Sequence, residues 1–559
     1  MTFSKPLAAI IPLAISAAAT PYPPAGGQHG QHAVSVPGSP PSGAGIPFES
    51  FVAYSIEFSS FVDFAGNTSN PNVFSDNLLN NIGRISGTKP HIRVGGNTQD
   101  YAVFNESQTE AFIGIYDPAI TEDYPTTITI GPAFFDSYHT WPGTKYVHGF
   151  NLGRNSTIAR QGLIDSAPYA CRALENGRLL YWELGNEPDL FKTSGQRDVR
   201  PPTWDEQDYV DEWLKYSREI RTSMSTACPE LATDAAYKYY APSFAGTGTN
   251  SLDPIVTWQD GLDTDKDIAI ISSHNYISGA ESPGVTLQGT LMNHTSTVAS
   301  IAKQLNESRH LAALPDTLNP NLPFILGETN SLYNQGRPGL SNTFGAALWG
   351  VDFNLWCATN NIQRVHMHMG TNYRYQSWQP IDTEKATKGT KAPYYGNVAV
   401  AAFLGDITKS VPSIVNLPLP NEEEAAYAAY VDNKLARIIV INMMSYNATD
   451  YNAEYINAYP RPTENYTFQL PSYLNGKFGI HRLIANGSDA ITGVTFDGYS
   501  YNYELDNGKP VLLRNVTRGE EVNVARGRLN VGVPRSSAVI IDFEDTSGEH
   551  GGGHWGWGW

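Results

Sequence analysis

Two acidic residues of this sequence each follow a short apolar run and a glycine. Glu187 comes after a run that begins at Leu179, and Glu328 comes after a run that begins at Leu322. Runs with bulky residues on both alternating faces are typical of parallel strands that are buried on both sides. Pro188 cannot extend a strand, and it favours an extended backbone at Glu187. The pattern therefore predicts two carboxylates at the carboxyl ends of two buried strands.

Two carboxylates that flank one bond are the catalytic requirement of glycoside hydrolysis. In the retaining reaction, one carboxylic acid protonates the leaving oxygen while the other, ionised, attacks the sugar from about 5–5.5 Å away. The surroundings of the two groups must therefore differ, because one holds a proton that the other has lost. This separation would indicate a retaining enzyme, whereas carboxyl groups roughly 6.5–9.5 Å apart would indicate an inverting one.

The segments around these acids alternate between strand-like and helix-like patterns. Helical patterns include residues 75–85, with Ser75 as the N-cap, and a helix that starts in a capping box at 203–206. Repeated strand-then-helix order predicts a parallel sheet with helices outside. Three units of roughly 47 residues fit between the two acids, and eight such units need roughly 376 residues, which suits a (β/α)8 barrel. Candidate strands lie at 51–58, 91–96, 145–152, 179–184, 237–244, 268–276, 322–330 and 365–370.

The pattern changes near residue 405. After a short helix-like stretch at 422–429, strand-like runs separated by Asn, Gly, Pro and Asp predict an antiparallel β-sandwich. We therefore expect an α/β fold, with a (β/α)8 TIM barrel at 49–404 and a C-terminal antiparallel β-sandwich domain at 405–546. Residues 1–20 have the pattern of a signal peptide, 21–48 of a coil with one strand that joins the sandwich, and 547–559 of a disordered Gly/His/Trp tail.

Composition limits the function classes. A formal net charge of −18 without a basic run argues against nucleic-acid binding, and no segment after the signal peptide is apolar enough to cross a membrane. The signal peptide and nine Asn-x-Ser/Thr sequons predict a secreted, extracellular glycoprotein, which we expect to be a monomer. Cys171, Cys228 and Cys357 allow one disulfide of undetermined pairing. We expect no cofactor and no metal, because neither metal-ligand spacing nor a phosphate-binding loop is present.

Four motifs together resemble one family. Leu-Gly-Asn-Glu-Pro at 184–188 and Gly-Glu-Thr-Asn at 327–330 are similar to the catalytic strands of clan A glycoside hydrolases. Tyr-Ser-Ile-Glu-Phe-Ser-Ser-Phe at 54–61 and Ile-Arg-Val-Gly-Gly-Asn-Thr-Gln-Asp at 92–100 narrow the resemblance. The first motif is shared by many families, but the combination is specific. Apart from its N-terminal coil and tail, the mature chain resembles glycoside hydrolase family 79, which includes β-glucuronidases and heparanases, and within it the secreted fungal β-glucuronidases.

The resemblance implies roles for the residues at the strand ends. Glu187 would be the general acid/base and Glu328 the nucleophile, so we predict a retaining mechanism with carboxyl groups about 5–5.5 Å apart. Asn186 would hold the sugar 2-hydroxyl, a contact that strengthens at the transition state. Glu57 and Asn97 match family positions that line the −1 subsite, the pocket for the sugar that is released.

At the end of the sixth strand, Tyr276 resembles the tyrosine that commonly hydrogen-bonds the nucleophile in this clan. His274, two residues earlier, is either a sugar contact or a hydrogen-bonded core histidine. The sequence leaves these two interpretations of His274 open.

Recognition of the sugar's own carboxylate must be local, because the chain as a whole is acidic. In the family, tyrosines and backbone amides of the loops after strands 7 and 8 make this contact. Tyr333, the backbone N–H of Gly336 and Tyr375 match those places. Arg337 and Arg374 lie in the same loops, and we consider them weaker candidates because surface arginines are common.

The expected function is an exo-acting β-glucuronidase that releases terminal glucuronic acid, or its 4-O-methyl form, from glycan side chains. Its partner would be an oligo- or polysaccharide that contains glucuronic acid. One alternative is a heparanase-like endo-β-glucuronidase, against which the lack of basic clusters argues. Others are another clan A retaining glycosidase, such as an arabinofuranosidase or xylosidase, and a carbohydrate-binding pseudoenzyme, since fold alone does not prove catalysis.

Overall fold

The computed structural model describes residues 33–193, 199–248, 250–315, 318, 320–447 and 460–546. The predicted signal peptide at 1–20, most of the predicted N-terminal coil and the tail at 547–559 lie outside the described residues. Among the described residues, eight parallel strands form a closed barrel in which the last strand pairs with the first, so the predicted (β/α)8 barrel is confirmed. These strands are β1 Val52–Glu57, β2 Ile92–Gly95, β3 Tyr146–Phe150, β4 Leu179–Leu184, β5 Tyr239–Phe244, β6 Ile268–Gly279, β7 Phe324–Tyr333 and β8 Val365–Met369.

Helices connect the strands on the outside of the barrel. The α-helices of six or more residues are α1 Val73–Ser86, α2 Thr157–Leu174, α3 Glu206–Met224, α4 Pro254–Gln259, α5 His294–Ala312, α6 Phe344–Thr359 and α7 Ala392–Leu404. Short helical turns lie at Phe58–Ser60, Phe61–Ala65, Asn97–Tyr101, Pro132–His139, Pro188–Leu190 and Leu287–Leu291. None of the helices in the described part of the chain combines the length and the apolar character that a membrane span needs.

Two predicted helix starts are wrong by a few residues. The N-cap of α1 is Asn72, whose side chain accepts from the Ser75 N–H, and not Ser75 itself. The N-cap of α3 is Asp205, which accepts from the Asp208 N–H, and not Thr203. In both places two capping residues lie within three positions of each other, and the local sequence does not determine which one is used.

The connection from β2 to β3 carries a small sheet that sequence patterns did not predict. Its strands are Ala102–Phe104, Phe112–Ile115 and Thr127–Ile130, with the last strand between the other two. We call residues 102–131 the flap. It follows the carboxyl end of β2. The two acids lie at the same end of the barrel, so the flap can form one wall of the site.

The C-terminal region forms one twelve-stranded, mainly antiparallel sheet that folds over an apolar core of its own, as predicted for a β-sandwich. Val34–Ser35 joins its edge and runs parallel to a neighbouring strand. Its longer strands are β9 Ser413–Asn416, β10 Glu424–Val431, β11 Lys434–Asn442, β12 Thr463–Gln469, β13 Gly476–Ile484, β14 Glu520–Ala525, β15 Arg528–Pro534 and β16 Ser537–Thr546.

Two local predictions in this region are wrong. The helix-like stretch at 422–429 lies mostly in β10, which pairs with β9 and β11. The single strand expected at 494–505 is broken into Thr495–Phe496, Tyr499–Ser500 and the helical turn Tyr503–Asp506, and Val511–Leu512 pairs beside them. Pairing and burial on both faces therefore override the local preference of the Ala-rich stretch.

The cysteines, whose pairing the sequence left open, are resolved by the fold. Cys171 in α2 forms a disulfide with Cys228, just after α3. Cys357 is a buried free thiol in α6.

Candidate active site

The turn after β4 presents the first acid. Gly185 has a φ of 82°, and Glu187 itself is left-handed, with φ 50° and ψ 51°, so the extended conformation predicted from Pro188 is wrong. The Glu187 N–H donates to the Ser243 carbonyl (3.0 Å), and its carbonyl accepts from the Leu190 N–H (2.9 Å). These bonds maintain a backbone conformation that is strained for a residue other than glycine, as often occurs at functional sites.

Glu187 and Glu328 lie side by side at the carboxyl end of the barrel. One carboxylate oxygen of each lies within 4.8 Å of the other. Their side chains are 13% and 7% exposed, so both are largely buried but reachable from the site. The spacing agrees with a retaining pair and is shorter than the roughly 6.5–9.5 Å of an inverting pair.

Arg93, a fully buried residue of β2, joins the groups of the site. One terminal nitrogen donates to Glu328 (2.6 Å) and Ser55 (2.9 Å), and the other donates to the Asn186 side-chain oxygen (2.7 Å). Its Nε donates to Glu183 (2.7 Å). A planar guanidinium fixes its partners in direction as well as distance. Arg93 therefore fixes the position of Glu328, the predicted nucleophile, relative to Asn186, whose amide is predicted to hold the 2-hydroxyl.

The surroundings keep Glu328 ionised. Burial alone would raise its pKa, but the positive charges of neighbours including His368 and Arg93 outweigh burial and lower it below the ordinary carboxyl value of 4.5. The Tyr276 hydroxyl also donates to Glu328 (2.8 Å) and stabilises the charged form. An ionised carboxylate is what a nucleophile requires.

The surroundings keep Glu187 protonated. Burial raises its pKa first and the negative charge of Glu328 raises it further, which together exceed the opposing effect of Arg93. His274 Nδ1 lies 2.9 Å from a Glu187 oxygen. Burial lowers the pKa of His274 to about 4, so above that pH its ring is neutral. A neutral ring does not stabilise the ionised form of Glu187 as a cation would. Glu187 is therefore the acid of the pair.

Glu57 and Asn97 belong to the same network. Glu57, 2% exposed, accepts from the N–H and hydroxyl of Thr98 (2.8 and 2.6 Å) and from the Tyr373 hydroxyl (3.1 Å). His368 Nε2 lies 3.3 Å from it. The Asn97 side-chain oxygen accepts from the Asn186 amide (3.1 Å). The structure thus brings both predicted subsite residues beside the catalytic pair.

The residues predicted to bind the sugar carboxylate differ in their burial and in their hydrogen bonds. Tyr375 is buried, and its ring centre lies 6.2 Å from that of Tyr276. Tyr333 is 48% exposed and packs over Gly279. The Gly336 N–H donates to the Leu332 carbonyl (3.1 Å) and is therefore engaged within its own loop.

Arg374 has a structural task in the same loops. It makes a two-bond ion pair with Asp123 of the flap (2.6 and 3.0 Å), and donates to the carbonyls of Gly336 (3.1 Å) and Asn334 (3.2 Å). It connects the flap, the β7 loop and the β8 loop.

Glu187, His274 and Glu328 also have the spacing of a metal site, with one ligand atom from each within 4.8 Å of the others. The guanidinium of Arg93 is already 2.6 Å from Glu328, and a cation in this position repels a second one. The other Glu328 oxygen is occupied by Tyr276. These donors suit acid/base chemistry better than metal binding.

Comparisons with known proteins agree with this geometry. The profile described as "Glycosyl hydrolase family 79 C-terminal beta domain" matches residues 426–540. A "Beta-glucuronidase" of Aspergillus niger is 56% identical over 519 residues, which cover 91% of this chain and 94% of the relative. One of Neurospora crassa is 53% identical over 529 residues, which cover 89% of this chain and 94% of the relative.

The chain belongs to glycoside hydrolase family 79.

Solved structures show the same fold at lower identity. The crystal structure of a 4-O-α-L-rhamnosyl-β-D-glucuronidase from Fusarium oxysporum 12S has a TM-score of 0.72 and 24% identity, and covers 91% of this chain and 99% of its own. A family 51 α-L-arabinofuranosidase from Bifidobacterium longum has a TM-score of 0.56 and 11% identity, with coverage of 91% and 99%. The barrel-plus-sheet architecture is therefore shared with hydrolases of other specificity.

Three site residues of this family 79 hydrolase were not predicted from the sequence. They are Arg93, Glu183 and His368. Each interrupts an apolar strand, in Ile-Arg-Val, Trp-Glu-Leu and Met-His-Met. Charged residues are almost never fully buried unless they are paired, so an interruption of this kind is a usable signal of a partner inside the barrel. The identity of that partner depends on which strands are neighbours.

Proposed function

We propose that this chain is a retaining, exo-acting β-glucuronidase that releases terminal glucuronic acid, or its 4-O-methyl form, from glycan side chains. The observation that carries the proposal is the pair Glu187 and Glu328, with oxygens within 4.8 Å and opposite protonation. The two relatives named β-glucuronidase, at 56% and 53% identity over most of the chain, support the substrate class.

The geometry suits a two-step mechanism. In the first step Glu187 gives its proton to the glycosidic oxygen while Glu328 attacks the anomeric carbon, so that the leaving group departs and a glycosyl–enzyme ester forms. In the second step Glu187, now ionised, removes a proton from water, which attacks the same carbon and releases Glu328. Asn186, oriented by Arg93 and Asn97, is placed to hold the 2-hydroxyl in both steps.

The flap supports exo action. Tyr124, at the tip of the flap, is buried, and its neighbours Glu122 and Asp123 pair with Lys385 and Arg374 of the β8 loop. Tyr373, next to Arg374 in the β8 loop, donates its hydroxyl to Glu57 of the predicted −1 subsite, so the tip of the flap that Arg374 binds lies close to this subsite. A wall in this position limits the space for a chain that continues past the terminal sugar, which disfavours the endo alternative.

Hydrolysis of p-nitrophenyl β-D-glucuronide tests the proposal. We expect activity that falls by at least about 1,000-fold in Glu187→Gln and Glu328→Gln, because each removes one half of a two-carboxylate mechanism. Glu424→Gln, which removes a buried carboxylate of the C-terminal sheet, is the matched control and should retain activity. The first product seen by NMR should be the β-anomer. An α-anomer, or hydrolysis of arabinofuranosides or xylosides in place of glucuronides, would disprove the proposal.

We also propose that the protein is secreted and glycosylated. The disulfide between Cys171 and Cys228 supports an oxidising compartment. Seven sequon asparagines are exposed: Asn67, Asn105, Asn155, Asn306, Asn465, Asn486 and Asn515. A loss of mass on treatment of the secreted protein with an N-glycosidase is the expected result, and an unchanged mass would contradict it.

A further inference from the structure

Glu183 has no part in the two-step mechanism, yet it is fully buried directly below the catalytic pair. It lies on β4, four positions before Glu187, and its side chain is 1% exposed. Burying a carboxylate is costly unless it is paired. Its partners therefore indicate what the residue does.

Both carboxylate oxygens of Glu183 accept hydrogen bonds from residues that also contact the catalytic site. One accepts from Arg93 Nε (2.7 Å), and the other accepts from the Ser243 hydroxyl (2.6 Å). Ser243 is itself the residue whose carbonyl accepts from the Glu187 N–H. Glu183 is thus linked on one side to the guanidinium that holds Glu328 and Asn186, and on the other to the backbone that holds Glu187.

We propose that Glu183 is a positioning residue for the reaction. It holds the Nε edge of Arg93 and offsets the positive charge of Arg93, so that Arg93 orients Glu328 without cancelling the negative charge of this nucleophile. This inference rests on the proposed function for the identity of the reaction, but the arrangement of charges does not depend on the substrate.

The charges around Arg93 balance one another in a space that is closed to solvent. Arg93 is a permanent cation, and Glu183 and Glu328 both contact it. If Glu328 were its only carboxylate partner, the full attraction would fall on the nucleophile, which would be a poorer attacking group, and the uncompensated positive potential would favour ionisation of Glu187. With Glu183 present, that attraction is shared.

Other ionisable groups around Arg93 come from the remaining strands. β3 places Gly149, which is not ionisable, opposite Glu183. It also carries His148, whose Nδ1 lies 2.6 Å from the Tyr138 hydroxyl; burial lowers the pKa of His148 to about 3, so its ring is neutral above that pH. Ionisable groups of the other strands and their ends include Glu57 (β1), Glu187 (β4), Tyr240 (β5), His274 and Tyr276 (β6), Glu328 (β7), and His366 and His368 (β8).

Glu183→Gln tests the proposal, since it keeps the shape and removes the charge. We expect kcat to fall about 10- to 100-fold, because small misplacements of reacting groups cost that much. We also expect the alkaline limb of kcat/KM for p-nitrophenyl β-D-glucuronide to move to lower pH by about one unit, as Glu187 ionises more readily. Glu183→Asp keeps the charge but shortens the reach, so kcat should fall while the limb stays at the native pH.

Glu424→Gln is again the control, because it removes a buried carboxylate that has no contact with Arg93 and should leave the limb in place. Carbon-13 NMR of protein labelled at the glutamate carboxyls follows the same ionisation without any substrate, with Glu187→Gln to assign the Glu187 signal. This measurement separates the two proposals: a native protein without glucuronidase activity disproves the proposed function, while the Glu187 titration in Glu183→Gln still decides the role of Glu183.

A folded Glu183→Gln protein with the Glu187 titration and the kinetic limb at their native pH would overturn the inference. If Glu183→Gln does not fold, Glu183→Asp decides. A lower kcat at an unchanged limb supports the role, and native kcat, or a limb moved as far as loss of the charge would move it, overturns it.

Discussion

Glu187 and Glu328 are the same amino acid at similar strand ends, yet their neighbours separate their proton affinities. Burial acts on both in the same direction, so it cannot cause the difference. The difference arises because Glu328 touches Arg93 and accepts from Tyr276, while Glu187 faces a neutral His274 and the charge of Glu328. Opposite shifts in a carboxyl pair are the pattern by which acid and base roles can be assigned.

The difference between the pKa values of Glu187 and Glu328 predicts a broad bell-shaped pH dependence of kcat/KM. The reaction needs Glu328 ionised and Glu187 protonated, so activity is lost as pH falls through the pKa of Glu328 and as it rises through that of Glu187. The first pKa lies below 4.5 and the second above it. Tyr276→Phe removes a bond to the charged form of Glu328, so its pKa rises and the acidic limb should move up by about one pH unit.

Steady-state kinetics across the pH range measure both limbs. The alkaline limb should stay in place in Tyr276→Phe. Tyr473→Phe, which removes the hydroxyl of an exposed tyrosine in the C-terminal sheet, is the matched control and should move neither limb. An acidic limb that moves down, or does not move, in Tyr276→Phe would contradict the assignment of Glu328 as the ionised group.

Sequence patterns could locate the acids but not explain their behaviour. Glu187 and Glu328 were found because a carboxylate after an apolar run and a glycine is a local pattern. The bond from Arg93 to both Glu328 and Asn186 joins three strands that are distant in sequence, and depends on the register of the closed barrel. No local pattern contains that register.

At the scale of elements, β6 and β7 differ from the other barrel strands by their length. They have 12 and 10 residues, and they remain paired beyond the catalytic level, with Ser278 opposite Leu332 and Gly279 opposite Tyr333. They therefore form a raised wall at the carboxyl end of the barrel. The flap contributes another wall, and Arg374 ties it to the loop that follows β7.

The loop that Arg374 holds is unusual in its backbone. Asn334, Gln335 and Gly336 all have a left-handed backbone conformation, which is unfavourable for Asn334 and Gln335. The Arg374 side chain bonds the carbonyls of Asn334 and Gly336, and its N–H bonds that of Gln335 (2.8 Å). These bonds compensate for the strain, so removal of the guanidinium should release the loop.

We therefore expect Arg374→Met to lower kcat/KM for the glucuronide about 10- to 100-fold, mainly through KM, because several charge-assisted bonds are lost together. Asp123→Asn, which loosens only the flap, should cost about tenfold or less. Arg218→Met, on α3, breaks a similar two-bond pair with Asp265 and serves as the control, with kinetics expected to be native. Equal kinetics in Arg374→Met and the native enzyme would refute the tie between these loops.

The elements themselves were predictable to the extent that burial pattern and local preference agreed. The barrel strands combine apolar runs with glycine-rich ends, and their order was confirmed. β10 was missed because Glu-Ala-Ala-Tyr-Ala-Ala-Tyr favours a helix locally. Its side chains alternate between two cores, with Tyr427 toward the barrel helices and Tyr430 inside the sheet. That arrangement exists only once both domains are in place.

At the scale of the whole molecule, the C-terminal sheet acts as a cover for the barrel. Nearly all residues of α6 and α7 are buried, since the sheet lies on their outer side. Asp352 of α6 is fully buried and accepts from the hydroxyl of Tyr427 on β10 (2.7 Å). It also lies 2.9 Å from Nδ1 of His294, at the start of α5. This one carboxylate therefore connects both domains.

The Asp352–His294 contact predicts a stability that depends on pH. Burial would lower the pKa of His294, but the bond and charge of Asp352 outweigh it and raise the pKa above 6.5. The charged pair therefore contributes stability that is fully present below pH 6.5, the unfolded value, and is lost as pH rises through the raised value. Asp352→Asn should lower the free energy of unfolding by about 1–2 kcal/mol at acidic pH, and by less above the folded pKa.

Urea unfolding followed by tryptophan fluorescence at about pH 5.5 and about pH 8 measures the difference. Tyr427→Phe is the matched control: it removes a neutral donor to the same carboxylate, so it should cost about 1 kcal/mol equally at both pH values. If Asp352→Asn showed that same uniform loss, Asp352 would not raise the pKa of His294 in the folded protein. The contact between the domains would then be a set of neutral hydrogen bonds, and its strength would not change with the acidity of the medium.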